Sequence, residues 1–309
     1  MSAEQHPGGK GKEFRSGFAA LVGAPNVGKS TLLNRLLGEK VSIVSPRPQT
    51  TRNRILGVVH EPGAQLVLLD TPGIHKADRA LNRHMVEVAF NAVGEVDVIL
   101  FVVDASNPDP ESEELVLSRL EGRERPVVLA VNKVDRIRKP EVLPLIAHWK
   151  DRYDFAEIVP TSAVDGTNVD VVARAMTDRL PPGPPYFPED ALTDVPERFV
   201  AAEMIREQVF WLTGKEIPYS TAVTITSFKE QPHPPLVKIQ ATIHVERESQ
   251  KGIVIGKQGA MLKKIGTRAR QEIERMVGCK VFLELFVRVE KNWSRDPRAM
   301  RRLGYDSGQ

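Results

Sequence analysis

The sequence predicts an α/β domain with a mixed, mostly parallel sheet over residues 16–181, followed by a smaller α+β domain over residues 197–309. Three observations carry this. Apolar runs long enough to be buried strands alternate with segments of helical period as far as Leu180. The run Pro181-Pro182-Gly183-Pro184-Pro185, followed by Tyr186-Phe187-Pro188, cannot continue a helix, so residues 182–196 read as a stiff, extended spacer. Beyond it the order becomes helix, strand, strand, helix, glycine loop, helix, strand.

The chain has 309 residues, 41% hydrophobic and 27% charged, which suits two ordinary globular cores. A single cysteine, Cys279, excludes an internal disulfide framework and a Cys-rich zinc site, and its place before an apolar strand reads as a buried structural thiol. Residues 1–15 are polar and Gly-rich and read as a flexible tail rather than a signal peptide. No stretch has the ~18 consecutive apolar residues of a membrane span. The expectation is a cytoplasmic protein. The net charge of +3 is unevenly spread: residues 1–190 hold 23 Lys/Arg against 26 Asp/Glu, and residues 191–309 hold 20 against 14. A polyanionic partner is therefore expected on the C-terminal half.

The first strand, Phe18 to Val22, runs into Gly23-Ala24-Pro25-Asn26-Val27-Gly28-Lys29-Ser30-Thr31, which fits G-x-x-x-x-G-K-[ST]. Such a loop wraps a polyphosphate with its N–H groups, the Lys29 charge reaching the β and γ phosphates and the Ser30 hydroxyl completing a Mg²⁺ shell. Leu32, Leu33, Leu36 and Leu37 mark one face of the helix that follows, and Gly38 ends it. Residues 40–54 have two prolines and no period and read as a mobile loop. Ile55 to His60 and Gln65 to Leu69 read as a hairpin turning at Glu61-Pro62-Gly63-Ala64 and leading into Asp70-Thr71-Pro72-Gly73. Here Asp70 would hold Mg²⁺ through water and the Gly73 N–H would sense the γ phosphate.

A helix around 77–93, a strand Val96 to Val103, a helix near Ser112 to Leu120 and a strand Pro126 to Val131 come next. The last ends in Asn132-Lys133-Val134-Asp135, the N-K-x-D pattern. Asp135 could accept from the N1–H and 2-amino group of guanine, which adenine cannot offer. Lys133 could lay its stem over the ring while Asn132 braces the loop. After the short strand Ile158 to Pro160, Thr161-Ser162-Ala163 could bring the Ala163 N–H to the base O6, and the helix Asn168 to Leu180 closes the domain.

In this order the motifs resemble those of a translation-factor-like P-loop GTPase across residues 18–180. That resemblance implies GTP and GDP as ligands, helices on both faces of the sheet, and an effector-loop threonine, Thr51 or else Thr50, closing on Mg²⁺. A Ras-like enzyme has a water-orienting glutamine after the D-x-x-G glycine; this chain has Ile74. Asn26 is similar to the asparagine with which potassium-activated relatives hold K⁺ against the phosphates. The expected catalytic group is thus Lys29, Thr51, Gly73 and Asn26.

In the C-terminal half, Pro196 to Leu212 has a helical pattern through Phe199, Ile205, Val209 and Leu212, and Ala222 to Phe228 with Val237 to Val245 read as strands. Ile255-Gly256-Lys257-Gln258-Gly259 is a G-x-x-G loop ahead of a basic helix with Lys263, Lys264 and Arg268, and a strand Val281 to Val289 follows. The glycines would let backbone approach a sugar-phosphate chain closely, with Lys257 between them. The segment resembles a type II KH domain, an RNA-binding module. The tail, Lys291 to Gly304, carries Arg295, Arg298, Arg301 and Arg302 beside Trp293 and reads as an extension of the basic face or a solvated helix.

One such GTPase domain followed by one KH domain resembles the Era family of bacterial GTPases, over about Phe18 to Tyr305. The resemblance implies a monomeric, slow, cation-assisted GTPase that binds the 3′ region of 16S rRNA in its GTP state and assists maturation of the small ribosomal subunit. It also implies peripheral association with the inner membrane, of which nothing in this sequence gives a sign. The alternatives are a regulatory GTPase switch acting on a protein or membrane partner, and an inert nucleotide-sensing module.

Overall fold

The computed structural model describes residues 13–76, 80–122, 124–214 and 216–305. The expected tail over residues 1–15 lies outside them as far as residue 12, as do residues 77–79 of the helix expected at 77–93.

Strands β1 (Arg15–Val22), β2 (Ile55–Glu61), β3 (Ala64–Asp70), β4 (Val98–Asp104), β5 (Val127–Asn132) and β6 (Glu157–Pro160) form a sheet in the order β2-β3-β1-β4-β5-β6, with only β2 antiparallel. Strands β3, β4 and β5 are buried along their whole length because helices cover both faces, which is why they read as continuous apolar runs. One face packs α1 (Lys29–Leu37) and α5 (Val169–Thr177), the other α2 (Ala80–Gly94), α3 (Pro110–Leu120) and Trp149 of α4 (Lys139–Lys150). Every residue of the face expected on α5, Val169, Val172, Ala173 and Met176, is buried.

The sequence pattern did not predict α4. Its signals were present, Pro140 in the first turn and Glu141 capping the Arg138 N–H, but Pro144 in the interior and a weak apolar stripe conceal the period.

The second unit holds α6 (Glu197–Leu212), β7 (Ala222–Gln231), β8 (Leu236–Val245), α7 (Glu248–Ile255), α8 (Ala260–Val277) and β9 (Lys280–Val289). Its sheet has the order β7-β8-β9, antiparallel then parallel, with α6, α7 and α8 supplying the facing core. Cys279 is half-buried at the edge of that core.

Three expectations about loops change. Residues 182–196, expected as a stiff, extended spacer, also run along the first sheet. The Val58 N–H donates to Leu192 O, Gln65 Nε2 donates to Phe187 O, and Gln65 Oε1 accepts from the Tyr186 and Phe187 N–H groups. Edge strand β2 and the buried Gln65 thereby gain partners that water would otherwise supply. Residues 40–54 are not a loose loop either: Ser42, Ile43, Thr50, Thr51 and Arg52 are buried against α1 and the second unit. The tail is neither solvated nor simply a basic face, because Trp293 is fully buried, stacks on Tyr305 at 5.5 Å and donates to Ser220 O. The four arginines stay exposed, Arg295 in the preceding turn and Arg298, Arg301 and Arg302 on α9 (Pro297–Arg302). These three packings depend on residues far away in sequence, so no local period announces them.

Candidate nucleotide site and nucleic-acid surface

A cavity of about 370 Å³ opens where β1, β3 and β5 end, lined by Pro25, Asn26, Gly28, Lys29, Ser30, Thr31, Gly73, Asn132, Lys133 and Ala163 and by effector-loop residues including Gln49, Thr50 and Thr51. The crossover loops of a parallel sheet converge at these carboxyl ends, so ligands gather there. Gly28, at φ 102°, begins α1; a Cβ there would lie 2.3 Å from Asn132 Nδ2. Gly73 passes so close to the phosphate loop that a Cβ would lie 2.7 Å from Pro25 Cα. Both approaches explain why glycine stands at each position.

Lys29 is buried, and its Nζ donates to Gly23 O at 3.1 Å and Ala24 O at 2.9 Å. The ammonium is thus held under the loop, aimed where phosphate oxygens would sit. Burial takes its pKa down to about 8, with Asp70 opposing the shift.

Ser30 Oγ donates to Asp70 Oδ2 at 2.6 Å and lies 2.8 Å from Thr51 Oγ1. Ser42 Oγ, which no sequence motif singled out, also donates to Asp70 Oδ2, at 2.8 Å. Burial raises the Asp70 pKa against those hydrogen bonds and Lys29, and its Oδ1 is buried without a partner. A buried carboxylate with one oxygen unsatisfied is costly alone, and Mg²⁺ with its waters would relieve it. Ser30, Thr51 and Asp70 therefore fit the ion, which would draw charge from the phosphates as the terminal one leaves. Thr50 turns away, hydrogen-bonded to Arg47 O and Ser45 Oγ, so the geometry favours Thr51 of the two threonines.

Asn132 joins two loops: its Nδ2 donates to Val27 O at 2.7 Å, and its Oδ1 accepts the Ala163 N–H at 3.0 Å. The N–H expected at the base O6 is thus already engaged. Lys133, at φ 66°, donates from Nζ to Asn26 O at 2.6 Å and pairs with Asp104, leaving its stem against the cavity. Burial raises the Asp104 pKa, but the hydrogen bonds from Lys133 and Ser106 outweigh it and the net shift is downward. Asp135 is exposed in the turn Val134–Arg136, next to cavity-lining Arg136. Ser162 and Thr71 serve the backbone: Ser162 is buried and receives the Asp165 N–H, while Thr71 donates to Leu21 O. Ala24 and Val27 offer carbonyls to Lys29 and Asn132, and Gly23 and Pro72 carry the turns between.

Sequence reasoning missed what the second unit brings to this cavity. Trp211 of α6 lines it beside Val44 and donates from Nε1 to Val44 O at 3.1 Å. Glu207 accepts the Val44 N–H at 2.9 Å and pairs with Lys40 at 2.6 Å; Arg206, ion-paired to Glu203, donates to Thr50 O.

The second candidate surface is the loop between α7 and α8. Gly256 (φ 73°), Gln258 (φ 52°) and Gly259 (φ 79°) turn the chain within the four residues after Ile255, and a Cβ at Gly256 would strike Met261. Lys257, Gln258, Lys263, Lys264 and Arg268 are exposed around it, while Ile265, Ala269 and Ile273 face the core. Arg270 and Arg275 are paired with Glu274 and Glu272, so the basic surface is narrower than the sequence suggests.

The depressed Lys29 pKa gives a pH signature. Phosphates stabilise the ammonium, so the complex holds the proton to higher pH than the free protein. Below pH 8 the proton is already present; above it, binding must take one up. GDP affinity should fall about tenfold from pH 7 to pH 9, with matching proton uptake by calorimetry in buffers of different ionisation enthalpy. An affinity independent of pH over that range would contradict the burial of this charge.

Comparison with known proteins matches residues 18–133 to the family described as 50S ribosome-binding GTPase and residues 216–294 to the KH domain. The chain is 59% identical over 292 residues to the GTPase Era of Geobacter metallireducens, covering 94% of this chain and 98% of the relative. It is 54% identical to that of Geotalea uraniireducens, covering 96% and 99%. Two solved structures superpose with a TM-score of 0.91 at 45% identity, covering 94% of this chain and 99% of each: a variant of Aquifex aeolicus Era bound to GDP·AlF4⁻, and Era in complex with MgGDPNP and nucleotides 1506–1542 of 16S ribosomal RNA. With both halves, their order and nearly the whole length in common, the chain belongs to the Era family of GTPases, which bind and hydrolyse GTP.

Proposed function

We propose that this GTPase binds the 3′ region of 16S rRNA through its KH half in the GTP state, assists maturation of the small ribosomal subunit, and leaves after hydrolysis. The observation that carries the reading is that Thr51, a Mg²⁺ donor, and Thr50, bonded to Arg206, are consecutive residues of one loop. Nucleotide occupancy and the posture of the RNA-binding unit thus bear on the same backbone. The relative seen with a 16S segment supports the RNA class. The family description names the large subunit, but it matches only the GTPase half and so does not speak for the KH surface. In this reading residues 16–181 are the GTPase domain, 182–196 the connection and 197–309 the KH domain of a cytoplasmic monomer; among the described residues no helix is long and apolar enough to cross a membrane.

Site roles follow the same reading. Lys29 supplies phosphate charge, Gly73 senses the terminal phosphate, and Asp135 selects guanine with Lys133, Asn132, Ser162 and Ala163 shaping its pocket. Asn26 holds K⁺: its Nδ2 is engaged with Pro46 O at 3.2 Å, leaving Oδ1, the atom a cation requires. Hydrolysis should then be faster in K⁺ than in Na⁺ buffer; equal rates would remove Asn26 from this role.

The RNA reading is tested by ultraviolet crosslinking to total cellular RNA with a GTP analogue or GDP bound. Expected are fragments from the 3′ end of small-subunit rRNA, enriched with the analogue and lost with GDP. Lys257→Glu should weaken them at least about tenfold, since reversing one charge removes a phosphate contact and adds a repulsion. Crosslinks that ignore both nucleotide and Lys257 would favour the protein-partner switch.

A further inference from the structure

Hydrolysis needs a water held in line with the terminal phosphate, and the residue after Gly73 cannot hold it. Ile74 is fully buried in the core cluster with Ala20, Val22, Leu69 and Phe101, and its N–H is spent on Gly23 O at 3.0 Å. Another polar side chain lines the cavity together with Thr51 and Gly73: Gln49. Its backbone has φ 63°, a left-handed conformation that residues other than Gly, Asn and Asp adopt rarely, so the surroundings select it.

With a neutral His75 ring the hydrogen bonds around Gln49 have one consistent polarity. His75 Nδ1 lies 3.0 Å from Gly73 O, and a carbonyl can only accept, so Nδ1 carries the proton. In the neutral ring Nε2 is then an acceptor, and it meets Gln49 Nε2, a donor, at 3.4 Å. That pairing leaves Gln49 Oε1, an acceptor, for another donor. The D-x-x-G loop and the effector loop are thus tied by a relay from the Gly73 carbonyl through His75 to the Gln49 amide.

We infer that Gln49 is the water-orienting catalytic residue of this GTPase, accepting a hydrogen bond from the attacking water through Oε1, and that His75 is a positioning residue that fixes the amide's orientation. As the water oxygen forms its bond to the γ phosphorus, the bond from that phosphorus to the β–γ bridging oxygen breaks and its electron pair stays on GDP. The water's proton ends on the released phosphate. Gln49 is not required as a base; it holds the water's orientation, an effect realised in the transition state and little felt by bound GTP. Because the relay includes both loops that close on the terminal phosphate, it would form only when both are in place.

The test uses the full-length protein with Gln49→Asn, which tolerates the left-handed backbone but is one methylene too short, and Gln49→Gly, which removes the amide without strain. Single-turnover hydrolysis of bound GTP should slow by roughly 10²-fold in both. Affinity for GDP·AlF4⁻, which mimics the transition state, should fall in step, while affinity for GDPNP stays within about twofold. His75→Phe should show the same split at smaller size, and His75→Asn, which keeps a donor and an acceptor, should recover part of it. Wild-type hydrolysis in the Gln49 variants would overturn the assignment. So would equal losses for GDPNP and GDP·AlF4⁻, which would make Gln49 a structural residue of the loop.

Discussion

The effector loop over residues 40–54 has no regular secondary structure, so its shape depends on what it is bonded to. Among the described residues its partners lie largely in the other unit. Arg52 is almost fully buried and donates to the carbonyls of Thr221, Pro218 and Tyr219, with Phe210, Trp293 and Tyr305 at 5.9, 5.7 and 5.5 Å from its guanidinium. A guanidinium survives such burial because its planar fork meets several carbonyls at once and its faces stack on aromatic rings. Removing it would strand those carbonyls, which is costlier than the net worth of the bonds themselves. Glu207, Arg206 and Trp211 hold the preceding residues in the same manner. Thr51 therefore reaches Ser30 on a loop whose neighbours on both sides are anchored to α6 or the segment after it.

This arrangement gives the two domains one shared element rather than a mere interface. Asp70, with one buried oxygen unpartnered, and Lys29, with its pKa pulled down, each sit in a state that a metal and a polyphosphate would relieve. Lys40 sits between both sides, bonded to Glu207 of α6 and Glu272 of α8, the helix that carries Lys263, Lys264 and Arg268. The helix that carries the basic surface is thereby ion-paired to the start of the same loop.

The parts of this design that the sequence disclosed are the ones made by neighbours in the chain. A phosphate loop must have its glycines and lysine at fixed spacing, and the buried strands must be apolar throughout, so both could be read directly. The face of α5 and the G-x-x-G turn were legible for the same reason. What stayed hidden was tertiary. Glu203, Arg206 and Glu207 stand outside the apolar pattern of Phe199, Ile205, Val209 and Leu212 that marks the helix, yet they are buried, because the other domain covers that side. The loop at 40–54 read as mobile because polar residues without a period usually are, and many of the bonds that order it come from more than 150 residues away. Pro144 hid α4, and Ala163 lost its expected free N–H to Asn132.

The most direct test of the shared loop is to release its Thr50 carbonyl from α6 without stranding a charge, with the paired substitution Glu203→Gln and Arg206→Met. The affinities of the full-length protein for a Mg·GTP analogue and for GDP are then measured with and without a 3′ 16S RNA fragment. Linkage requires that nucleotide and RNA affect each other by the same factor. If α6 holds the loop on its Mg²⁺ donors, the preference for the GTP analogue over GDP should fall by about tenfold, a typical coupling, and the effect of nucleotide on RNA affinity should shrink with it. If both the nucleotide preference and the RNA response match the unaltered protein, the loop is not the link, and coupling of the two domains through residues 40–54 is contradicted.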